Sequence, residues 1–290
     1  MNIIDNQKGR SYAPMNWGIY FKQGGRCELS LNNHSNYANI TFNDKNIIKR
    51  WLQRKRLTTS LRLINPEFRP RCIVDYGAGN GEIIKTLAVL YPDTKIICFE
   101  PTKNLMEEAK KNLKGVPNVV FTETVETIST SSVDLIFCLE VFEHLPSKET
   151  EDAFNVFKRV LNDQGKIVIG LPVEVGIPSL YKGLFRMVRR FGAYDARIGN
   201  VLRSFAYAPP KERPCSEIAP GFAYYFDHMG FDYRAFASVL RKHFHIDQIT
   251  GGPFPAFGAI FNPEINFLAR PKASQSHVSE SHVAKEAVLA

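Results

Sequence analysis

Short apolar runs that alternate with helical segments constrain the fold of this chain more than any other feature. Five of these runs lie between residues 72 and 172: CIVDYG, KIICFE, NVVFTE, VDLIFCLE and KIVIGLP. Runs that are apolar at nearly every position are typical of parallel strands buried on both faces. Two later runs, FHIDQIT and GAIFNPEINFLAR, lie close enough to pair as an antiparallel hairpin. We therefore predict an α/β fold: a doubly wound seven-stranded sheet with a C-terminal antiparallel hairpin.

The segments outside this alternation divide the chain. Residues 1–43 are polar and rich in asparagine, and we expect an irregular N-terminal arm there. The main domain is predicted over residues 44–271 and begins with a helix that ends near residue 63. An insertion over residues 173–226, rich in Pro, Gly, Arg and Tyr, follows the fifth strand. The tail, residues 272–290, is polar and low in aromatic residues, so we expect it to be disordered.

Charge and cysteine content narrow the class of protein. The chain has 37 Lys and Arg against 29 Asp and Glu, a formal net charge of +8, which is compatible with anionic partners. Three cysteines lie inside apolar runs, there is no CxxC pair, and MNIIDNQKGR does not have the pattern of a signal peptide. No apolar run is long enough to span a membrane. We expect reduced thiols and a cytoplasmic protein.

The stretch IVDYGAGNGE, residues 73–82, follows a strand and opens a helix, the place where an open α/β sheet binds its ligand. Gly77, Gly79 and Gly81 allow the backbone to approach a ligand closely. Their spacing is G-x-G-x-G, because Glu82 occupies the third position of the dinucleotide fingerprint G-x-G-x-x-G. Glu100 ends the second strand 19 residues after Gly81, where a carboxylate can accept both hydroxyls of a ribose. The alternative is a tight turn with an unrelated surface glutamate.

These stretches resemble the class I S-adenosylmethionine-dependent methyltransferases, in particular the type 11 and ubiquinone-pathway members. VDYGAGNGE, FE at 99–100, VDLIFCLEVFEHLP and VFKRVLNDQGKIVIGLP carry the resemblance, in the family's order, over residues 45–172. It implies a Rossmann-like sheet and S-adenosyl-L-methionine as cofactor, and leaves the acceptor open. It also implies that Asp75 and the glycine loop, with Ala78, lie against the methionine part of the cofactor. Glu100 would bind the ribose and Pro101 would lie near the adenine.

The resemblance is less complete at the third strand. Members of the family often carry an aspartate after this strand, where it contacts the adenine amine. The best-matching residue here is Thr124, so the backbone amide of Val125, or Glu123, would serve instead. Leu139 and Glu140, which end the fourth strand, would flank the methyl donor.

Glu140, Glu143 and His144 follow the fourth strand and admit three interpretations. They hold neighbouring backbone through hydrogen bonds, or His144, beside Glu143, is a general base for a hydroxyl acceptor. Alternatively they bind a metal, because E-x-x-E-H places them on one face of a helical turn, and carboxylate with imidazole suits Mg²⁺, Mn²⁺ or Zn²⁺. The run is similar to that of ubiquinone-pathway O-methyltransferases and small-RNA 2′-O-methyltransferases, where it binds a divalent ion. The further histidine of the RNA enzymes would correspond to His228.

Residues 177–191, IPSLYKGLFRMVRRF, are amphipathic and basic. They are expected to form either a lid helix packed over the active site or a helix that rests peripherally on an anionic membrane. Both suit an anionic or lipid-linked acceptor. The runs HMGFDYRAFASVLRKHF and GGPFPAFG resemble methyltransferases found among bacterial surface-polysaccharide enzymes.

We therefore expect O-methylation of a small-molecule, sugar or lipid-linked acceptor, consistent with polysaccharide biosynthesis. One alternative is a methyltransferase-like binding protein without catalysis. Another is an RNA 2′-O-methyltransferase, although the sequence contains no visible RNA-binding module and nucleic acid is not the expected partner. The sequence does not specify the oligomeric state.

Overall fold

The structure is a computed structural model that describes residues 55–219 and 222–272. The arm predicted over 1–43, the first part of the helix predicted from residue 44, and residues 273–290 of the predicted tail lie outside the described residues. Residues 55–61 are helical, in agreement with the end of that predicted helix.

Seven strands form one sheet. They are β1 (Cys72–Tyr76), β2 (Lys95–Phe99), β3 (Val119–Thr122), β4 (Val133–Leu139), β5 (Leu161–Pro172), β8 (Phe244–Gly252) and β9 (Glu264–Pro271). Their order in the sheet is β3-β2-β1-β4-β5-β9-β8. β1 to β5 are parallel, and β9 pairs antiparallel with both β5 and β8. The predicted α/β fold, with its doubly wound sheet and C-terminal antiparallel hairpin, is therefore confirmed.

Helices cover both faces of the sheet, each over its own apolar core. Alternate residues of a strand point to opposite faces, so Ile73 and Val74 of β1 belong to different cores. The helices are α1 (Glu82–Leu90), α2 (Lys103–Asn112), α3 (Ser147–Val160), α4 (Ile177–Arg190), α5 (Ile198–Phe205) and α6 (Tyr233–His243). α1 and α2 pack on the Ile73 face, whereas α3 and α6 pack on the Val74 face. This arrangement puts the carboxyl ends of β1 to β4 along one open edge.

The insertion is more regular than its composition suggested. It contains α4, α5 and a small antiparallel hairpin of β6 (Cys215–Ala219) and β7 (Phe222–Tyr225). The last strand, in contrast, is shorter than the run GAIFNPEINFLAR, because β9 begins only at Glu264. Asn262 explains the late start: its side-chain amide donates to the carbonyls of Phe254 and Gly258, at 2.7 and 2.6 Å, and so closes a turn there.

Candidate active site

The loop after β1 is tightly folded against the end of β2. The amides of Gly77 and Ala78 both donate to the carbonyl of Phe99, each at 2.9 Å. Gly77, Gly79 and Gly81 have φ angles of 75°, 55° and 79°, a region that side chains other than glycine rarely adopt. A Cβ added to Gly77 would lie 2.6 Å from Cγ2 of Val141. The loop therefore needs these glycines for its conformation and, at Gly77, for close packing.

Two buried carboxylates flank this loop. Glu100 accepts a hydrogen bond from the amide of Gly79 at 2.8 Å and from the amide of Thr102 at 2.9 Å. Each of its oxygens keeps lone-pair capacity for a further donor, such as a ribose hydroxyl. Burial raises the pKa of Glu100, and these amides oppose the rise. Asp75 is 1 % exposed and its Oδ2 has no hydrogen-bond partner within the described residues. Burial, and secondarily the charge of Glu100, raises the pKa of Asp75 to about 7.

The other positions assigned to the cofactor lie along the same edge. Pro101 follows Glu100 directly, and Leu139 is the buried last residue of β4. Thr124 leads into a short 3-10 turn, Val125–Thr127, after β3. Arg159 fixes this turn, because its guanidinium donates to the carbonyl of Val125 at 2.6 Å. The structure thus brings the predicted cofactor residues to one edge of the sheet; their contacts with a cofactor stay predictions.

Glu143, His144 and His228 form a compact cluster next to this edge. One potential ligand atom from each residue lies within 4.8 Å of the others. Nε2 of His228 is 3.2 Å from Nε2 of His144, and Oε1 of Glu143 is 3.8 Å from His144 Nε2 and 3.9 Å from His228 Nε2. The side chain of Glu143 is fully buried, and neither of its oxygens has a hydrogen-bond partner in the described part of the chain.

The hydrogen bonds of His144 determine which of its nitrogens carries the proton. Nδ1 lies 2.6 Å from the carbonyl of Tyr225, which can only accept, so Nδ1 donates and Nε2 presents a lone pair to the cluster. The ring also stacks on Tyr224 at 4.5 Å. Burial lowers the pKa of His144 to about 4 and lowers the pKa of His228 well below its usual value. Both imidazoles are therefore neutral at pH 7, as metal binding or proton acceptance requires.

Glu140 lies apart from this cluster. It has a φ of 57°, and the next residues form a 3-10 turn over Phe142–His144, so the run E-x-x-E-H does not present one helical face. The Glu140 carboxylate instead lies 3.5 Å from Arg56, which also pairs with Glu264 of β9. Burial raises the pKa of Glu140, and the charge of Arg56 opposes this rise. The predicted metal set is thus brought together at three of its four positions.

Arg213 was not predicted from the sequence, yet it binds backbone carbonyls on both segments that form the cluster. Its guanidinium donates to the carbonyl of Glu143 at 2.7 Å, to that of Asp227 at 2.6 Å and to that of Met229 at 3.1 Å. It therefore ties the segment around His228 to the turn after β4. No local sequence signal identifies this contact, which joins residues 70 positions apart.

Glu174 is a second residue that the sequence-based interpretation missed. It is fully buried, and its carboxylate accepts from Lys182 at 3.0 Å and from both terminal nitrogens of Arg186 at 2.8 and 2.9 Å. These cations hold the pKa of Glu174 well below its usual range although burial raises it. Its Oε1 lies 3.9 Å from Nδ1 of His228, on the side away from the cluster. An acidic residue inside the apolar run GLPVEVG is the sequence signal that could have identified it.

Comparison with known proteins supports a methyltransferase fold. Residues 73–165 match the family described as methyltransferase domain. A ribosomal RNA large subunit methyltransferase G of Photobacterium profundum is 29 % identical over 144 residues, covering 47 % of this chain and 38 % of its own length. A trans-aconitate 2-methyltransferase of Afipia carboxidovorans is 24 % identical over 162 residues, covering 54 % of this chain and 59 % of its own length. The chain thus matches less than two thirds of the length of each of these relatives.

A solved structure agrees on the fold. The pyocyanin biosynthetic protein PhzM superimposes with a TM-score of 0.50 at 13 % identity, covering 78 % of this chain and 56 % of that one. Its likeness concerns the fold alone. The domain match, the sheet order and the glycine loop after β1 together identify residues 73–165 as a class I S-adenosylmethionine-dependent methyltransferase domain.

Proposed function

We propose that the chain transfers the methyl group of S-adenosylmethionine to a hydroxyl oxygen of a small-molecule, sugar or lipid-linked acceptor. In this proposal a divalent cation is held by Glu143, His144 and His228. The observation that carries the proposal is the position of this cluster: Glu143 and His144 follow β4 next to the glycine loop, and His228 lies beside them. Val141, which lies between β4 and the cluster, packs against Gly77.

The residues around the loop suit a cofactor with a ribose and a positively charged amino-acid part. Asp75 is buried with one oxygen unpartnered, and a cation beside it would stabilise its ionised form. Glu100 would accept the ribose hydroxyls with the lone pairs that the amides of Gly79 and Thr102 leave unused. When bound, S-adenosylmethionine supplies a methyl group already activated by a sulfonium, so the chain mainly has to orient the acceptor.

The cluster suits a divalent cation. Burying an ionised carboxylate without hydrogen bonds costs free energy unless a cation compensates its charge, and neither oxygen of Glu143 has a hydrogen-bond partner among the described residues. Burial, and after it the charge of Glu140, raises the pKa of Glu143. His144 presents the lone pair of Nε2, and the carbonyl of Tyr225 holds its ring in place. Among the three ions that the sequence left open, two imidazoles and one carboxylate favour Mn²⁺ or Zn²⁺ over Mg²⁺. A bound cation would orient the acceptor hydroxyl and lower its pKa.

The relatives inform the choice of acceptors to test. A relative named for trans-aconitate supports a small acceptor, and one named for ribosomal RNA justifies including RNA. The test incubates the full chain with S-adenosylmethionine and a panel of phenols, sugars, lipid-linked sugars and RNA, and measures S-adenosylhomocysteine. Product with a hydroxyl compound is expected. Methylation of RNA alone would replace this proposal with the RNA alternative, and no binding of S-adenosylmethionine would overturn it altogether.

The metal part has its own test. Thorough chelation should remove activity, and Mn²⁺ or Zn²⁺ should restore it. Glu143→Gln should weaken metal binding, measured by calorimetry, whereas Glu67→Gln, an exposed glutamate before β1, should bind metal like the unmodified chain. Activity that survives chelation and does not rise with any added cation would show that the cluster does not act through a metal.

A further inference from the structure

Helix α4 has an unusual orientation: its polar side faces the protein and its apolar side faces outward. Lys182 and Arg186 point inward and bind the buried carboxylate of Glu174. A buried carboxylate needs such partners, because an uncompensated charge away from water is strongly unfavourable. With its basic side held there, the helix turns its apolar stripe away from the sheet. The described residues therefore do not use this stripe to close a lid over the active site.

The exposed stripe of α4 is large. Val188 is 80 % exposed, Phe191 75 % and Leu184 61 %. Apart from the adjacent pair Leu184 and Phe185, successive members lie three or four residues apart, so they share one side of the helix. The stripe consists of Ile177, Tyr181, Leu184, Phe185, Val188 and Phe191.

Two neighbouring segments extend this surface. α5 runs antiparallel to α4 in close contact with it, because Gly183 leaves room for Val201. On another side the hydroxyl of Tyr181 donates to the carbonyl of Phe261 at 3.2 Å. Both neighbours expose apolar side chains: Ile198, Leu202 and Phe205 on α5, and Phe257, Ile260 and Phe261 in the loop before β9. These twelve side chains are called the docking face below; exposed apolar patches of this kind mark interaction sites.

The charge around the docking face is strongly one-sided. Between residues 177 and 207 the chain carries one acidic residue, Asp195, and it is buried. The cations in the same segment are Lys182, Arg186, Arg189, Arg190, Arg197 and Arg203. Lys182 and Arg186 pair with Glu174, and Arg190 pairs with Asp195, which leaves the other three arginines for the docking face. Arg189 lies over the ring of Phe185, 5.3 Å from its centre, within the face itself. Arg197 and Arg203 are exposed on and beside α5. The occupant of the docking face is therefore expected to be anionic.

We propose that the docking face rests on the surface of an anionic lipid bilayer. Its apolar side chains would enter the boundary between headgroups and acyl chains, and its arginines would meet lipid phosphates. The proposed contact is peripheral. No helix in the described ranges is long and apolar enough to cross a bilayer. This inference goes beyond the proposed chemistry and does not depend on which acceptor is methylated.

Charge argues against two occupants of the docking face, a second copy of the chain and residues 1–54. A second copy seated on the same face would bring the same arginines together. Residues 1–54 carry eight Lys and Arg against three Asp and Glu, so they would also be repelled. A bilayer that contains anionic lipid is complementary to the apolar side chains of the docking face and to its arginines.

The test is co-sedimentation of the full chain with phosphatidylcholine vesicles that contain or lack phosphatidylglycerol. Binding is expected to the anionic vesicles at low salt, and it should weaken as salt is added because charges contribute. Val188→Glu should weaken binding at least about tenfold, since it removes an inserted side chain and adds a charge. Val89→Glu is the matched control: Val89 is 79 % exposed on α1, away from the docking face, and the variant should bind normally.

Binding of S-adenosylmethionine should be the same in both variants, which shows that they fold and separates this test from that of the proposed function. Arg203→Glu provides a second probe that leaves the apolar side chains intact; it should weaken anionic binding about fivefold or more. The proposal is overturned if the unmodified chain does not bind anionic vesicles at low salt, or if Val188→Glu and Val89→Glu bind equally. A dimer that Val188→Glu dissociates, without vesicle binding, would assign the face to a second copy.

Discussion

Replacing Asp75 with asparagine should change how the stability of the protein depends on pH. Asp75 is buried, and the pKa of its carboxyl is raised from 3.8 to about 7, chiefly by that burial. In the unfolded chain the same group titrates near its ordinary value. Between these two pKa values the folded protein keeps a proton that the unfolded chain has released. Raising the pH in this range therefore favours unfolding.

The size of the effect follows from the two pKa values. Each unit of pKa difference corresponds to about 1.4 kcal/mol. Between about pH 5 and about pH 8, the Asp75 carboxyl should lower the free energy of unfolding by roughly 3 kcal/mol. Asparagine cannot titrate, so the variant lacks this loss. The asparagine side chain places an amide donor without an acceptor in the buried site. This lowers the free energy of unfolding of the variant by about 1–3 kcal/mol, independently of pH.

Urea unfolding of the cofactor-free protein at several pH values measures the effect. The difference in unfolding free energy, Asp75→Asn variant minus unmodified chain, should rise with pH by roughly 3 kcal/mol across that range. Buried acids that do not interact with Asp75, such as Glu143, affect both proteins alike and cancel in the difference. Asp163→Asn, at an exposed position near the start of β5, is the control for exchanging an aspartate for an asparagine. A constant difference for Asp75→Asn would refute the argument that burial holds a proton on this group.

Three further predictions concern the site. Glu100→Gln should weaken binding of S-adenosylmethionine at least about tenfold in calorimetry, because the charge that two amides and the ribose hydroxyls share is lost; unchanged affinity would contradict the ribose role. Gly77→Ala should lower the melting temperature more than Gly79→Ala. Both glycines have positive φ, but only a Cβ at Gly77 would meet a side chain, that of Val141. Equal decreases in melting temperature would contradict the packing argument. Arg213→Met should weaken metal binding while cofactor affinity stays unchanged; a loss of both would indicate general unfolding.

The sheet and its helices could be predicted because burial determines the local pattern of apolar and polar residues. Runs such as VDLIFCLE are apolar throughout because both faces of the strand are covered. The five apolar runs predicted as strands between residues 72 and 172 correspond to β1 to β5. The glycine loop could be placed for a similar reason, since positive φ at three positions leaves a local signature.

The arrangement of the second half of the site could not be predicted in the same way. Glu140 adopts a φ of 57°, which a helical pattern does not anticipate, and it therefore leaves the cluster of Glu143 and His144. Arg213 donates hydrogen bonds to the backbone carbonyls of Glu143 and Asp227. Every residue has such a carbonyl, so the sequence does not identify these contacts.

Helix α4 shows a related limit of sequence analysis. The spacing of its residues reveals two sides, but not which of them faces the protein. The buried charge of Glu174 decides this, because it requires Lys182 and Arg186 on the inside. That requirement depends on tertiary structure, so the same amphipathic pattern was compatible with a lid and with a membrane-facing helix.

Calorimetric titration of the full chain with S-adenosylmethionine tests the central claim most directly. We predict saturable one-to-one binding that Glu100→Gln weakens and that Glu67→Gln leaves unchanged. Absence of binding by the unmodified chain, or equal binding by both variants, would contradict the assignment of the edge formed by β1, β2 and the glycine loop as the cofactor site.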